Sequence, residues 1–223
     1  MSSSDHNHDH DHDHDHDHPH AAIVEGRPGY YDIMERAFEE LMIEKKFFTA
    51  NDIRHQIELL DSRNPALGAK VVAKAWSDPD FRARLLDDGR AACEEFGITF
   101  YDDTDLIVLE NTPSVHNLIV CTLCSCYPRP VLGLPPDWYK LKPYRARAVY
   151  EPRKVLAEFG TNIPDNVEVR VSDSTAIQRF LVLPMRPAGT DGFNEEQLAA
   201  LVTRDAMIGV IQVPTPLGGL SDD

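Results

Sequence analysis

Apolar residues recur at three- and four-residue steps through the first part of the chain and then shift toward alternation, so the sequence predicts helices first and strands afterwards. From Tyr30 to about Lys46, the residues Ile33, Met34, Ala37, Phe38, Leu41 and Met42 fall on one face of an amphipathic helix. Thr49, with Asp52 three residues on, is the start signal of a second helix that runs toward Leu60. The segment Asp61 to Pro65 ends it. Leu67 to Trp76 predicts a third helix, and Pro79 opens a fourth that runs to Phe96, with Gly97 as its stop.

Beyond Gly97 the pattern is that of strands. Asp105 to Leu109 and His116 to Val120 flank the turn Asn111-Thr112-Pro113, and the second run leads directly into Cys121. Pro128 to Pro136 predicts a stiff loop, followed by a short helix from Asp137 and helical stretches over Tyr144 to Val149 and Pro152 to Phe159. Val167 to Val171 and Arg179 to Leu183 predict strands of a sheet in the C-terminal half. Asn194 caps a helix through Leu201, and Ile208 to Val213 predicts a last strand. The class is α+β: a helical arm over 30–97 and an α/β domain over 98–213, with tails at 1–29 and 214–223.

Composition narrows the function classes. With 42% hydrophobic residues among 223, a sizeable core is available, and no apolar run approaches the length of a membrane span. The net charge of -15 speaks against a nucleic-acid partner. The first residues lack the basic-then-apolar order of a secretory signal, and no evenly spaced cysteine set suggests a disulfide framework, so the cytoplasm is the expected compartment. From His8 to His18, His alternates with Asp; this tail is too polar to fold and is expected to be disordered. Its imidazoles can chelate divalent cations, as a metal reservoir or as a solubilising tail.

Three of the four cysteines lie within the six residues Cys121-Thr122-Leu123-Cys124-Ser125-Cys126. Soft thiolates select transition metals, and C-x-x-C is half of many zinc sites. A closed zinc site needs a fourth ligand, and the nearest in sequence is His116. The other route to a full shell is the main chain, through the amides of Ser125 and Cys126. Cys93, on the predicted fourth helix, reads as a buried small apolar residue. Arg145, Arg147 and Arg153 read as salt-bridging residues in preference to an anion site.

The run CTLCSCYPRPVLGLPPDWYK resembles the metal-binding stretch of the nitrile hydratase alpha subunit and of the related thiocyanate hydrolase gamma subunit. The similarity continues through LGAKVVAKAWSDPDFRARLLDDG, MRPAGTDG and LVTRDAMIGV. The resemblance implies a layered α-β-β-α domain behind an arm that embraces a partner. It also implies a non-corrin Co(III) ion held by Cys121, Cys124, Cys126 and the main-chain nitrogens of Ser125 and Cys126. Thr122 and Tyr127 match the cobalt type; the iron type usually has Ser and Thr there. By the same resemblance Cys124 is oxidised to sulfinic and Cys126 to sulfenic acid. Cys124, Ser125 and Cys126 then do the chemistry, and Tyr127, Arg129, Asp173 and Arg179 surround it. Implied partners are a beta-type subunit, in a heterodimer or heterotetramer, a small nitrile or thiocyanate, and a cobalt-delivering activator protein.

Three positions depart from the nitrile hydratase pattern. Arg129 replaces a Trp, Ile177 stands where a Glu is common, and a Gln of the region around Asp102 has no match. These lean toward thiocyanate, LGLPPDWYK and RPAGTDG are shared by both and decide nothing, and nitrile hydration is the first expectation. A metal carrier using tail and cysteines is the expectation of another class.

Overall fold

A computed structural model describes residues 28–100 and 103–216. The His/Asp tail and the residues from 217 onward, for which tails were expected, lie outside the described residues. The chain forms two compact units, one ending at Ile53 and one beginning at Arg54.

In the first unit, α1 (Tyr30–Glu44) starts where the Asp32 carboxylate accepts a hydrogen bond from the Gly29 amide at 2.8 Å. None of its residues is buried, and Ile33, Met34, Phe38 and Leu41 are exposed. The following helix, α2 (Ala50–Ser62), opens with the predicted reciprocal cap. Thr49 N donates to Asp52 Oδ2 at 2.7 Å, and Asp52 N donates to Thr49 Oγ1 at 3.2 Å.

The second unit carries α3 (Pro65–Ser77), α4 (Pro79–Asp87), α5 (Gly89–Glu94), β1 (Asp105–Glu110) and β2 (Val115–Val120). Then come α6 (Arg129–Leu132), α7 (Asp137–Lys140), α8 (Lys142–Tyr150), α9 (Pro152–Glu158), β3 (Glu168–Asp173), β4 (Gln178–Leu183), α10 (Glu195–Leu201) and α11 (Arg204–Ile208). β1 pairs with β4 and β2 with β3, both parallel, with Leu106 opposite Arg179 and Val120 opposite Asp173. β2 packs on β1 and β4, α4 and α5 cover β1, α11 covers β4, and α8 and α9 cover β2 and β3. The order of layers is therefore α-β-β-α. Leu118, Ile119, Leu181 and Val182 from the strands meet Val71, Val72, Phe81, Leu85 and Leu156 from the helices, all within 1% of full burial. The helices α3 to α5, expected on the arm, thus contribute to the same core as the strands.

Four local expectations are corrected. The predicted helix from Pro79 to Phe96 is two helices, because Asp88 closes α4 and caps α5, its side chain accepting from Ala91 N at 2.9 Å. Gly89 there presses its backbone on the Leu106 carbonyl with no room for a side chain, which brings α5 onto β1. The predicted strand Ile208 to Val213 is instead the end of α11, capped by Thr203 and stopped by Gly209 at φ 92°, followed by chain outside both sheets. The proline-rich loop contains α6. Finally, β3 and β4 form no sheet with each other, since each pairs with a strand that precedes the cysteine run.

Candidate metal centre

The cysteine loop leaves the end of β2 and is gripped by three neighbouring elements. Asp173, opposite Val120 in the β2–β3 register, accepts from Thr122 N at 2.9 Å and from Thr122 Oγ1 at 2.5 Å. On α7, Tyr139 donates its hydroxyl to Cys126 O at 2.9 Å, and its ring meets that of Tyr127 edge-on at 5.1 Å. On α8, Tyr144 anchors the helix to Ile119 O at 2.7 Å. Beside it, Arg145 donates to Thr122 O at 3.3 Å and to Cys124 O at 3.1 Å.

So held, the loop turns its sulfurs to one centre. Cys121 Sγ lies 3.3 Å from Cys124 Sγ, which lies 3.2 Å from Cys126 Sγ, and all three fall within 4.8 Å of one another. The Cys124 amide donates to Cys121 Sγ at 3.3 Å. Hydrogen bonds from Cys126 and Cys121 bring the Cys124 thiol down to about 7. Burial, with donation to Cys124, pushes Cys126 up to about 12, opposed by the nearby Arg179 charge. Three converging soft sulfurs form a donor set suited to a thiophilic transition metal.

The histidine considered as a fourth ligand stands elsewhere. His116 is the second residue of β2, five residues before Cys121, a distance along a strand of roughly 16 Å. Its Nε2 donates to Gly209 O at 2.7 Å, which leaves Nδ1 to accept from Asn111 Nδ2 at 3.4 Å. The ring is 3% exposed, and burial lowers its pKa. Cys93 is fully buried in the core, its thiol pushed up to about 12 by burial, as a packing residue would be.

Beside the sulfurs opens a cleft of about 340 Å³ lined by Cys124, Ser125, Cys126, Tyr127, Arg129 and Arg179, with Arg63, Phe100 and Thr104 from earlier in the chain. Among its described lining residues there are three guanidiniums and no carboxylate. Asp173 faces away from this cleft, onto the Thr122 side of the loop. Ile177 is exposed. The structure thus brings together the expected Cys121, Cys124, Ser125, Cys126, Tyr127, Arg129 and Arg179, with Asp173 behind them.

Sequence reasoning missed Tyr139 and Arg63, and it misread Arg145 and Arg153, the latter of which holds the carbonyls of Ile163, Pro164 and Val167. Arg147 does pair with Glu151 and Glu158, as expected. Arg145 holds the loop instead. The signal was available, because Arg147 has Glu151 four residues on, whereas no acid stands three or four residues from Arg145 on either side.

The family model described as "Nitrile hydratase, alpha chain" matches residues 29–211. The chain is 53% identical over 182 residues to the "Low-molecular weight cobalt-containing nitrile hydratase subunit alpha" of Rhodococcus rhodochrous, covering 81% of this chain and 88% of that protein. It is 46% identical over 197 residues to the "Thiocyanate hydrolase subunit gamma" of Thiobacillus thioparus, covering 83% and 81%. A recombinant thiocyanate hydrolase "comprising partially-modified cobalt centers" superimposes with a TM-score of 0.78 at 43% identity, over 86% of this chain and 93% of that one. A double mutant of the Fe-type nitrile hydratase from Comamonas testosteroni Ni1 does so with 0.75 at 42%, over 88% and 97%. With its cysteine cluster at the end of β2 and this breadth of similarity, the chain belongs to the nitrile hydratase alpha-chain family.

Proposed function

We propose that the chain is the metal-bearing subunit of a cobalt-type nitrile hydratase, which adds water across the carbon–nitrogen triple bond of a nitrile to give an amide. The observation that carries this reading is the convergence of three sulfurs beside an open cleft. Cys121, Cys124, Cys126 and the nitrogens of Ser125 and Cys126 would hold a non-corrin Co(III) ion. When bound, that ion supplies Lewis acidity toward a nitrile nitrogen or a water. The chain's own residues do the rest. Arg129 and Arg179 bind and orient the substrate from the cleft wall, and the buried Tyr127 ring excludes water from one side.

Exposure supports the oxidation pattern implied by resemblance. Cys121 is 1% exposed, whereas Cys126 is half-buried and Cys124 exposed, so oxidant reaches the latter two. Sulfinic acid at Cys124 and sulfenic acid at Cys126 form part of the proposal. So does a beta-type partner subunit, supported by the exposed apolar face of α1. Delivery of cobalt by an activator protein and a cytoplasmic location complete it; no described helix is long and apolar enough to cross a membrane.

A second reading, hydrolysis of thiocyanate to carbonyl sulfide and ammonia, is favoured by one observation: the cleft presents guanidiniums and no described carboxylate, as an anionic substrate would require. Assaying the purified complex with a simple nitrile and with thiocyanate separates the two. Amide formation supports the first, and carbonyl sulfide release without amide overturns it in favour of the second. In either case Arg129→Gln is expected to raise KM for an anionic substrate by about tenfold, the loss of one charge-assisted hydrogen bond. A neutral nitrile would show little change.

A further inference from the structure

Arg145 differs from the other arginines of α8 and α9. Arg147 is paired with Glu151 and Glu158, and Arg153 holds the carbonyls of Ile163, Pro164 and Val167 in the segment between α9 and β3. Both hydrogen bonds of Arg145 go to the cysteine loop, to Thr122 O and Cys124 O, and its Nε is buried with no partner among the described residues. A permanent charge that meets no carboxylate among the described residues is committed to the main chain of six residues.

Peptide geometry gives this placement its consequence. A trans peptide is planar, and its carbonyl and its amide nitrogen point to opposite sides. Cys124 O and Ser125 N belong to one such unit, so a carbonyl fixed on Arg145 aims the Ser125 nitrogen away from α8. On the same stretch the Cys124 nitrogen donates to Cys121 Sγ at 3.3 Å, and the three sulfurs lie within 4.8 Å of one another. The bond to Thr122 O fixes the chain two residues earlier, where Asp173 grips the Thr122 amide from the end of β3. The loop's main chain is therefore stretched between a cation on α8 and an anion on β3.

We propose that Arg145 is a positioning residue: it locks the Cys124–Ser125 peptide with its nitrogen turned toward the three sulfurs, so that this nitrogen is presented as a ligand before a metal arrives. The inference rests on the reading of residues 121–126 as a cobalt site and deepens it. Arg145 does not line the cleft beside the sulfurs, so its effect falls on capture and retention of metal and not on substrate contact.

The test uses the full complex with its partner subunit, comparing wild type with Arg145→Ala, Arg145→Lys and Arg153→Ala. Three quantities are read: cobalt per chain after loading with a cobalt(II) salt, its loss to a strong chelator, and the sulfur-to-cobalt charge-transfer absorption. Arg145→Ala is expected to retain cobalt about 10- to 100-fold less well, the usual cost of losing a group that orients a ligand. Its absorption band shifts, and added guanidinium ion restores part of both. Arg145→Lys falls between, because a single ammonium cannot span two carbonyls as a planar fork does. Arg153→Ala, which breaks a comparable clamp far from the sulfurs, keeps the wild-type band and retention. A folded Arg145→Ala complex with wild-type band and retention overturns the proposal; if that variant does not fold, the same result in Arg145→Lys overturns it. A wild-type complex that takes up no cobalt overturns the site assignment itself, a separate and visible failure.

Discussion

β2 carries a polar cluster at each end, and the two are built in opposite ways. At its start, His116, Asn111 and Asn117 hydrogen-bond one another and the carbonyls of Gly209 and Glu110, all buried or nearly so. At its end, the neighbours hold the main chain of the loop, through Asp173, Tyr139 and Arg145, while the sulfurs are left to face each other and the cleft. A buried network that satisfies its own side chains fixes structure. A loop with a pinned backbone and unspent soft side chains is prepared for chemistry. The contrast explains why the histidine nearest in sequence is no ligand.

Removing a sulfur should produce the largest effect. In Cys121→Ala or Cys124→Ala, cobalt retention and turnover of the complex are expected to fall beyond the ~10- to 100-fold typical of losing an orienting group. Metal analysis and activity assay check this, and full activity of Cys124→Ala would erase the distinction between the two ends. Next comes the clamp. Asp173→Asn keeps the shape but loses the charge on Thr122, and cobalt retention should drop by about tenfold while the melting temperature moves little.

At the other end the readouts invert. His116→Ala orphans Gly209 O and Asn111 and leaves a hole, which costs about 2–3 kcal/mol of stability in denaturant titration. Cobalt per folded chain should stay at the wild-type level. The smallest effect is one of pH. Burial holds the His116 ring below its ordinary 6.5, so the unfolded chain takes up a proton there before the folded chain does. This contribution to stability is complete above 6.5 and declines as the pH falls below it, by at most about 1.4 kcal/mol per pH unit. Comparing wild type with His116→Gln at pH 7.5 and pH 5 isolates it, since the variant should lack that part of the slope.

These two ends also mark what was legible in the sequence. Helix starts such as Thr49-Asp52 and Asn194-Gln197 are local bargains between neighbours, and each is found where its residues predict. The three cysteines announced their cluster because all the sulfurs come from six residues. What needed distant partners stayed hidden. The pairing of β1 with β4 joins segments far apart in sequence, and nothing in Asp105 to Glu110 names Gln178 to Leu183 as its neighbour. Ile208 to Val213 has the composition of a strand, yet Gly209 sits on the Asn117 carbonyl and gives its own carbonyl to His116, so no ladder forms there. Arg145 was visible as a cation without a helical acid partner, but its target lay across the packing of α8 on β2.

Cobalt X-ray absorption on the purified complex tests the central claim most directly, because it counts the atoms around the metal. The account predicts one cobalt per chain with sulfur neighbours from Cys121, Cys124 and Cys126, light main-chain nitrogens beside them and no imidazole signature. An active complex without cobalt, or a cobalt bound through histidine rings with few or no sulfurs, would contradict it.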